Sequence, residues 1–228
     1  MQASENAATI ATLLGAGPAT IQTVRALYEK SSILAAVDGG VAHAAAAGLR
    51  PDIILGDLDS LPIPLPDSMQ NVPKRHLTDQ ESTDFDKALR TIEARLYLCA
   101  GFTDGRIDHQ LACFHSILKH PERQVILVSE SDVVMLLPPQ IALSLEAGTR
   151  VSVFPMKPGF ARSVGLKWPL DGLALAPDSL VSTSNAALGG AIEISSDGPC
   201  CLLILPRQNL DVLVSAVLQS PPWPLTAA

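Results

Sequence analysis

The run DIILGDLDS, residues 52–60, leads an apolar segment into Gly56 and two acids, Asp57 and Asp59. In an extended backbone, residues two apart point to the same side. The strand rise sets their Cα atoms about 6.6 Å apart. Two carboxylates so close repel unless a cation sits between them. Magnesium suits the pair, because it takes one or two carboxylates, keeps several waters and uses substrate phosphates for the rest. An isolated Asp-Leu-Asp reads as a solvated turn, where Asp and Ser are frequent. The surroundings argue for chemistry instead. Asp38 follows ILAAV, and Arg106 and Asp108 follow YLCAGF, so polar groups gather where apolar runs end. In open α/β sheets, ligands bind beyond the carboxyl ends of the strands.

Other residues near these ends suit phosphate. Gly39 and Gly40 allow close backbone approach, although a Gly-Gly alone is usually a turn. Gly15 and Gly17, in GAG, follow an apolar run, but Thr20 stands where a dinucleotide fingerprint has its third glycine. No GxxxxGK[ST] motif occurs, which argues against an ordinary P-loop kinase. TDQESTDFDKAL, residues 78–89, puts Asp79, Gln80, Ser82, Thr83 and Asp84 at a predicted helix start, where free N–H groups favour anions. Arg106 can grip phosphate in a bidentate way, and His109 follows it three residues on. His43, His76, His115 and His120 show no ligand spacing with one another.

The elements that must position these groups follow two rhythms. Residues 8–15, 32–40, 52–57, 97–102 and 124–129 read as strands. Residues 18–30, 41–48, 83–96 and 108–120 read as helices. Thr83 caps the third, and Leu111, His115 and Leu118 form the inner stripe of the fourth. Such alternation predicts an α/β, Rossmann-like domain with a mostly parallel sheet over residues 1–135. Pro138 and Pro139 mark the link. Residues 136–228 then break into short strands with Gly, Asp and Pro turns, and one helix near 209–219. That pattern predicts an all-β sandwich or small barrel.

Composition narrows the function classes. The chain has 228 residues, a net charge of −7, 47% hydrophobic residues and 17% charged residues. No basic stripe appears, which sets nucleic acid aside as a partner. No apolar run reaches the about 18 residues of a membrane span, and the N-terminus has no positive region ahead of its apolar part. Cys99, Cys113, Cys200 and Cys201 form no CxxC, and the adjacent pair is poorly placed for a mutual disulfide. The expectation is reduced, buried thiols in a cytoplasmic protein.

Six pieces, ILAAVDGGVAH, RPDIILGDLDS, DQESTDFDKAL, GRIDH, GLKWPL and LVSTSN, occur in that order over residues 33–185. Together they resemble the thiamine pyrophosphokinase family. The resemblance implies transfer of a diphosphate from ATP to the hydroxyl of thiamine, with Mg²⁺ as cofactor. It also implies a homodimer in which the sandwich of one chain completes the site of the other. By position, Asp57 and Asp59 match the metal pair, and Asp38 and Asp84 match further acidic site residues. Gln80, Thr83, Lys87 and Arg106 match polar and cationic positions around the phosphates, and Asp108 matches the acid of the Gly-Arg-x-Asp-His element. Ser184 and Asn185 match the residues facing thiamine, and Trp168 suits stacking on a thiamine ring. The chain departs from the family pattern at Ala42, Asp104 and Ala112-Cys113. Rival readings are a pyrophosphokinase for another alcohol such as a pterin, a non-catalytic thiamine diphosphate sensor, and a metal-dependent phosphoesterase.

Overall fold

The computed structural model describes residues 9–57, 65–77 and 81–225. Asp59, Asp79 and Gln80 lie outside the described residues. The chain divides into two compact units, residues 1–116 with 127–129 and residues 117–126 with 130–228.

In the first unit, β1 (Ile10–Leu14), α1 (Ile21–Tyr28), β2 (Ile33–Val37), α2 (Val41–Ala46), β3 (Ile53–Gly56) and β4 (Lys74–His76) follow in turn. They are succeeded by α3 (Asp84–Thr91), β5 (Leu96–Ala100), α4 (Ile107–Lys119) and β6 (Val125–Val128), of which residues 117–119 and 125–126 are counted with the second unit. The strand order is β6-β5-β1-β2-β3-β4. β1 pairs in parallel with β2 and β5, β2 with β3, and β3 with β4. The central strands are buried and, but for Thr12 and the Tyr97 hydroxyl, apolar, as expected of a sheet covered on both faces. Chain progression reverses between β1 and β5, which makes their carboxyl ends the topological switch point.

The second unit contains β7 (Asp132–Leu136), β8 (Gln140–Leu145), β9 (Arg150–Pro155), β10 (Gly159–Val164) and β11 (Ala174–Leu175). β12 (Ser182–Ala186), β13 (Gly190–Ser196), β14 (Cys201–Pro206) and α5 (Leu210–Gln219) complete it. Two antiparallel sheets, β12-β9-β14-β7 and β11-β10-β13-β8, form the sandwich. Along β8, Ile141, Leu143 and Leu145 point inward and alternate with exposed residues, the period-2 pattern of a half-buried strand. α5 packs on β8 through its apolar face. No described helix is long and apolar enough to cross a membrane.

Three local expectations change. The third helix ends at Thr91 rather than 96. The buried Tyr97 hydroxyl donates to Ile92 O at 2.6 Å and accepts from Ala94 N–H at 3.2 Å, which turns the chain out of the helix and into β5. Leu96 is therefore a strand residue. In α4 the inner stripe is Cys113, Ser116 and Ile117, whereas Leu111 and His115 are exposed and Leu118 is only half-buried. Arg106, just before the helix, and His109 in its first turn line the cleft. Finally, β2 stops at Val37, and Asp38–Gly40 forms a 3₁₀ turn that feeds directly into α2.

Candidate active site

A cleft of about 650 Å³ opens beyond the carboxyl ends of β1, β2, β3 and β5. Its construction begins with backbone crowding. Gly15 N–H donates to Ala100 O at 2.8 Å, and Gly17 N–H donates to Gly101 O at 2.7 Å. The two loops thus touch, and a Cβ on Gly15 would stand 2.5 Å from Gly101 O. On α2, His43 Nε2 lies 2.7 Å from Gly17 O and anchors the same loop.

The acids are set by strained backbone. Asp38 has φ +46°, a region L-residues rarely adopt. Gly56, at the end of β3, has φ +135°, and a Cβ there would strike the Asp38 carboxylate. Gly56 thus clears the space in which the Asp38 side chain stands. Asp38 and Asp57 both line the cleft. Gly40 is buried against Leu14 O, and neither it nor Gly39 lines the cleft, so their service is to the turn that delivers Asp38.

Two helix starts supply the other walls. The Thr83 hydroxyl caps α3 by accepting from Asp86 N–H at 3.1 Å, and Thr83 and Asp84 line the cleft. Lys87 is buried and does not line it. Its ammonium donates to Asp84 Oδ1 at 3.0 Å and lies 3.4 Å from Leu77 O, so it orients the acid. At α4, Arg106 and His109 line the cleft. The Arg106 guanidinium grips Asp108 by two hydrogen bonds, 3.1 Å to Oδ1 and 2.6 Å to Oδ2. That bond raises the Arg106 pKa and lowers that of Asp108. Both side chains are largely solvent-exposed, so the pair is weak and easily exchanged for a phosphate.

Residue types alone did not reveal the apolar wall. Phe85 and Phe102 line the cleft with ring centroids 4.5 Å apart. Cys113 lines it as well, and burial pushes its thiol up to about 12, so it stays neutral. Among the described residues no three His, Cys, Asp or Glu side chains are grouped to hold a metal.

The remaining expected site residues belong to the second unit. Trp168 is 54% exposed, with Lys167 Nζ 4.6 Å over its ring. Ser184 is exposed, has φ +57° and sits where β12 shifts register against β9. Asn185 is buried. Its Nδ2 donates to Trp168 O at 2.6 Å, and its Oδ1 accepts from Trp168 N–H at 3.1 Å and from Ala186 N–H at 2.8 Å. Its amide thus clamps the Trp168 backbone.

Comparison with known proteins agrees with this layout. A family model for the thiamin pyrophosphokinase catalytic domain matches residues 24–128, and one for the thiamin pyrophosphokinase vitamin B1 binding domain matches residues 140–201. Thiamine pyrophosphokinase 3 of Oryza sativa subsp. japonica is 30% identical over 184 residues, covering 70% of this chain and 68% of its own. Thiamine pyrophosphokinase 1 of Arabidopsis thaliana is 28% identical over 168 residues, covering 65% of this chain but only 62% of the plant protein. Among solved structures, thiamin pyrophosphokinase from Geobacillus thermodenitrificans superposes with a TM-score of 0.73 at 24% identity, over 87% of this chain and 97% of that one. The yeast enzyme gives 0.75 at 14% identity, over 93% and 90%. These two establish the shared fold. By its two matched domains and its rice relative, the chain belongs to the thiamin pyrophosphokinase family.

Proposed function

We propose that the chain transfers the β,γ-diphosphate of ATP to the hydroxyl of thiamine, giving thiamine diphosphate and AMP. The observation that carries this reading is the acid-lined cleft at the β1/β5 switch point, bordered by Asp38, Asp57, Asp84 and Arg106. Transfer of this kind depends on positioning and charge neutralisation more than on covalent help. The thiamine oxygen attacks the β-phosphorus, the bond to the oxygen shared with the α-phosphorus breaks, and AMP leaves.

Each residue has a task. Arg106 exchanges its exposed Asp108 partner for the ATP phosphates. The starts of α3 and α4 supply N–H groups for the same anion, and Thr83, His109 and Gln80 add polar contacts. Asp84, held by Lys87, orients the thiamine hydroxyl and accepts its proton. Asp108 serves as the resting partner of Arg106. Asp38 and Asp57 offer hard oxygen donors on one cleft wall, which fits a magnesium ion completed by phosphate and water. With Asp59, Asp57 would hold it. Bound there, Mg²⁺ would neutralise charge on the bridging phosphate oxygens.

We assign residues 1–135 to ATP and metal binding, and residues 136–228 to thiamine binding and dimerisation. Ser184 and Trp168 face thiamine, while Asn185 fixes Trp168. Exposed Phe160, Val164, Trp168 and Leu188 support a homodimer formed through the second unit, in which one copy completes the site of the other. The four free cysteines support a cytoplasmic location. Incubation of the purified protein with ATP, MgCl₂ and thiamine, followed by chromatography, tests the reading. Equal amounts of AMP and thiamine diphosphate are expected. ADP as the nucleotide product, or AMP formed only with another alcohol, would overturn it.

A further inference from the structure

The second unit holds two thiols that the phosphate chemistry does not use. In a regular strand the side chains of adjacent residues point to opposite faces. Cys200 and Cys201 escape this, because β14 begins at Cys201 and Cys200 still belongs to the preceding turn. Their sulfurs lie 3.6 Å apart. The turn is fixed by Met156 N–H and Lys157 N–H, which donate to Cys200 O at 2.7 and 3.2 Å. Space for the Cys200 sulfur exists because residue 159 is glycine; a Cβ there would strike it. The Ser196 hydroxyl lies 3.3 Å from the same sulfur. Cys200 also lines an open cleft of about 320 Å³ with Lys157, Pro158, Gly159, Asp197 and Gly198, whereas Cys201 is fully buried behind it.

The two sulfurs are chemically unlike. The Cys200 and Cys201 sulfurs share a hydrogen bond at 3.6 Å, and the Ser196 oxygen, whose own proton goes to Gly198 O at 2.8 Å, makes a second contact with Cys200. These contacts outweigh burial and pull the Cys200 pKa below that of an ordinary thiol. The same contact, with burial, pushes Cys201 up. Since the thiolate is the nucleophile, Cys200, which lines the cleft although only 4% exposed, carries the more reactive sulfur.

We propose that Cys200 and Cys201 form a reversible oxidation site, in which Cys200 reduces a hydroperoxide and Cys201 resolves the product to a vicinal disulfide. In the first step the Cys200 thiolate attacks one peroxide oxygen. The O–O bond breaks, the departing oxygen takes up a proton, and a sulfenic acid remains. In the second step the Cys201 sulfur attacks that sulfur and loses its proton. The S–O bond breaks, and the hydroxide leaves as water. Two thiols lose two electrons, which the peroxide accepts. The Cα atoms of adjacent residues are about 3.8 Å apart, below the usual disulfide range of about 4.4–6.8 Å. The bond is therefore strained and easily reduced again, which suits a cytoplasmic protein.

The sequence provides a clean readout. The tryptic peptide Trp168–Arg207 carries both thiols and no other cysteine or methionine, while Cys99 and Cys113 fall in peptides 96–106 and 107–119. The folded protein would be treated briefly with hydrogen peroxide, blocked with N-ethylmaleimide, digested and weighed. Peptide 168–207 should lose about two mass units, for the two hydrogens removed, and dithiothreitol should restore it. It should react faster than the Cys113 peptide, whose thiol is held neutral by burial. Cys201→Ser should stop at a dimedone-trappable sulfenic acid, and Cys200→Ser should give neither product. Equal rates at Cys113, oxidation of Cys200→Ser as fast as the unchanged protein, or a sulfenic acid that persists with Cys201 present would each overturn the proposal.

Discussion

The cleft of the first unit and the β12 edge of the second treat polar groups in opposite ways. In the cleft, carboxylates line an opening and the backbone carries the strain, with Asp38 at φ +46° beside Gly56 at φ +135°. At a non-glycine residue such as Asp38 this costs about 1–3 kcal/mol and persists only where surrounding structure enforces it, whereas Gly56 adopts a positive φ freely. On β12, Asn185 is buried with its amide fixed to Trp168 and Ala186, while Trp168 and Ser184 are left facing out. One region holds reactive charge in place by crowding. The other holds exposed side chains in place by satisfied hydrogen bonds. Damage to the first should therefore strike rate, and damage to the second should strike stability and substrate affinity.

The sharpest way to break this contrast is Asp57→Asn. The rate of AMP formation should fall at least about 100-fold, the usual scale for losing one preorganised charge contact, with an unchanged melting midpoint. Near-normal turnover would remove Asp57 from the chemistry. Gly56→Ala comes next, because a Cβ there meets the Asp38 carboxylate at a positive φ. It should cost about 1–3 kcal/mol in denaturant unfolding and also slow turnover, as the only variant here to do both strongly. An unaltered unfolding midpoint would mean that Asp38 can stand elsewhere.

Asn185→Ala leaves the Trp168 N–H and carbonyl without their partners. A loss of about 1–3 kcal/mol is expected, together with a raised KM for thiamine and little change in kcat. A fall in kcat alone would place Asn185 in the chemistry instead. The smallest effect belongs to Arg106 and Asp108. Asp108→Asn should leave stability nearly unchanged, because both partners are exposed. The Asp108 pKa is lowered on folding, chiefly by the Arg106 hydrogen bond. Its modest contribution is thus present above the ordinary carboxylate range and lost as pH falls through the lowered value. Arg106→Lys, by contrast, should raise the KM for ATP, since an ammonium cannot replace the bidentate grip. If both variants left ATP affinity intact, Arg106 would not be the phosphate ligand.

Much of this was legible because strand-end acids need only the period-2 and βα patterns to be found. Asp38, Asp57 and Arg106 were placed by where apolar runs stop and Asp84 by a predicted helix start, and the structure brings all four to one cleft. The outward turn of Leu111 was not legible, because an apolar residue at helical spacing looks the same whether it faces a core or water. The end of α3 depended on Tyr97, whose hydroxyl acts across the turn on Ile92 and Ala94, a contact no local window contains. Lys87 read as a phosphate cation, yet its burial beside Asp84 is a tertiary fact. Asn185 showed the same limit, since its hydrogen bonds to residue 168 span seventeen positions.

The central claim is attack at the β-phosphorus within the first unit's cleft. ATP carrying radioactive phosphorus at the β position, incubated with the protein, MgCl₂ and thiamine, follows that bond directly. All transferred label should appear in thiamine diphosphate and none in AMP. Label recovered in ADP or in free phosphate, with thiamine unlabelled, would contradict it.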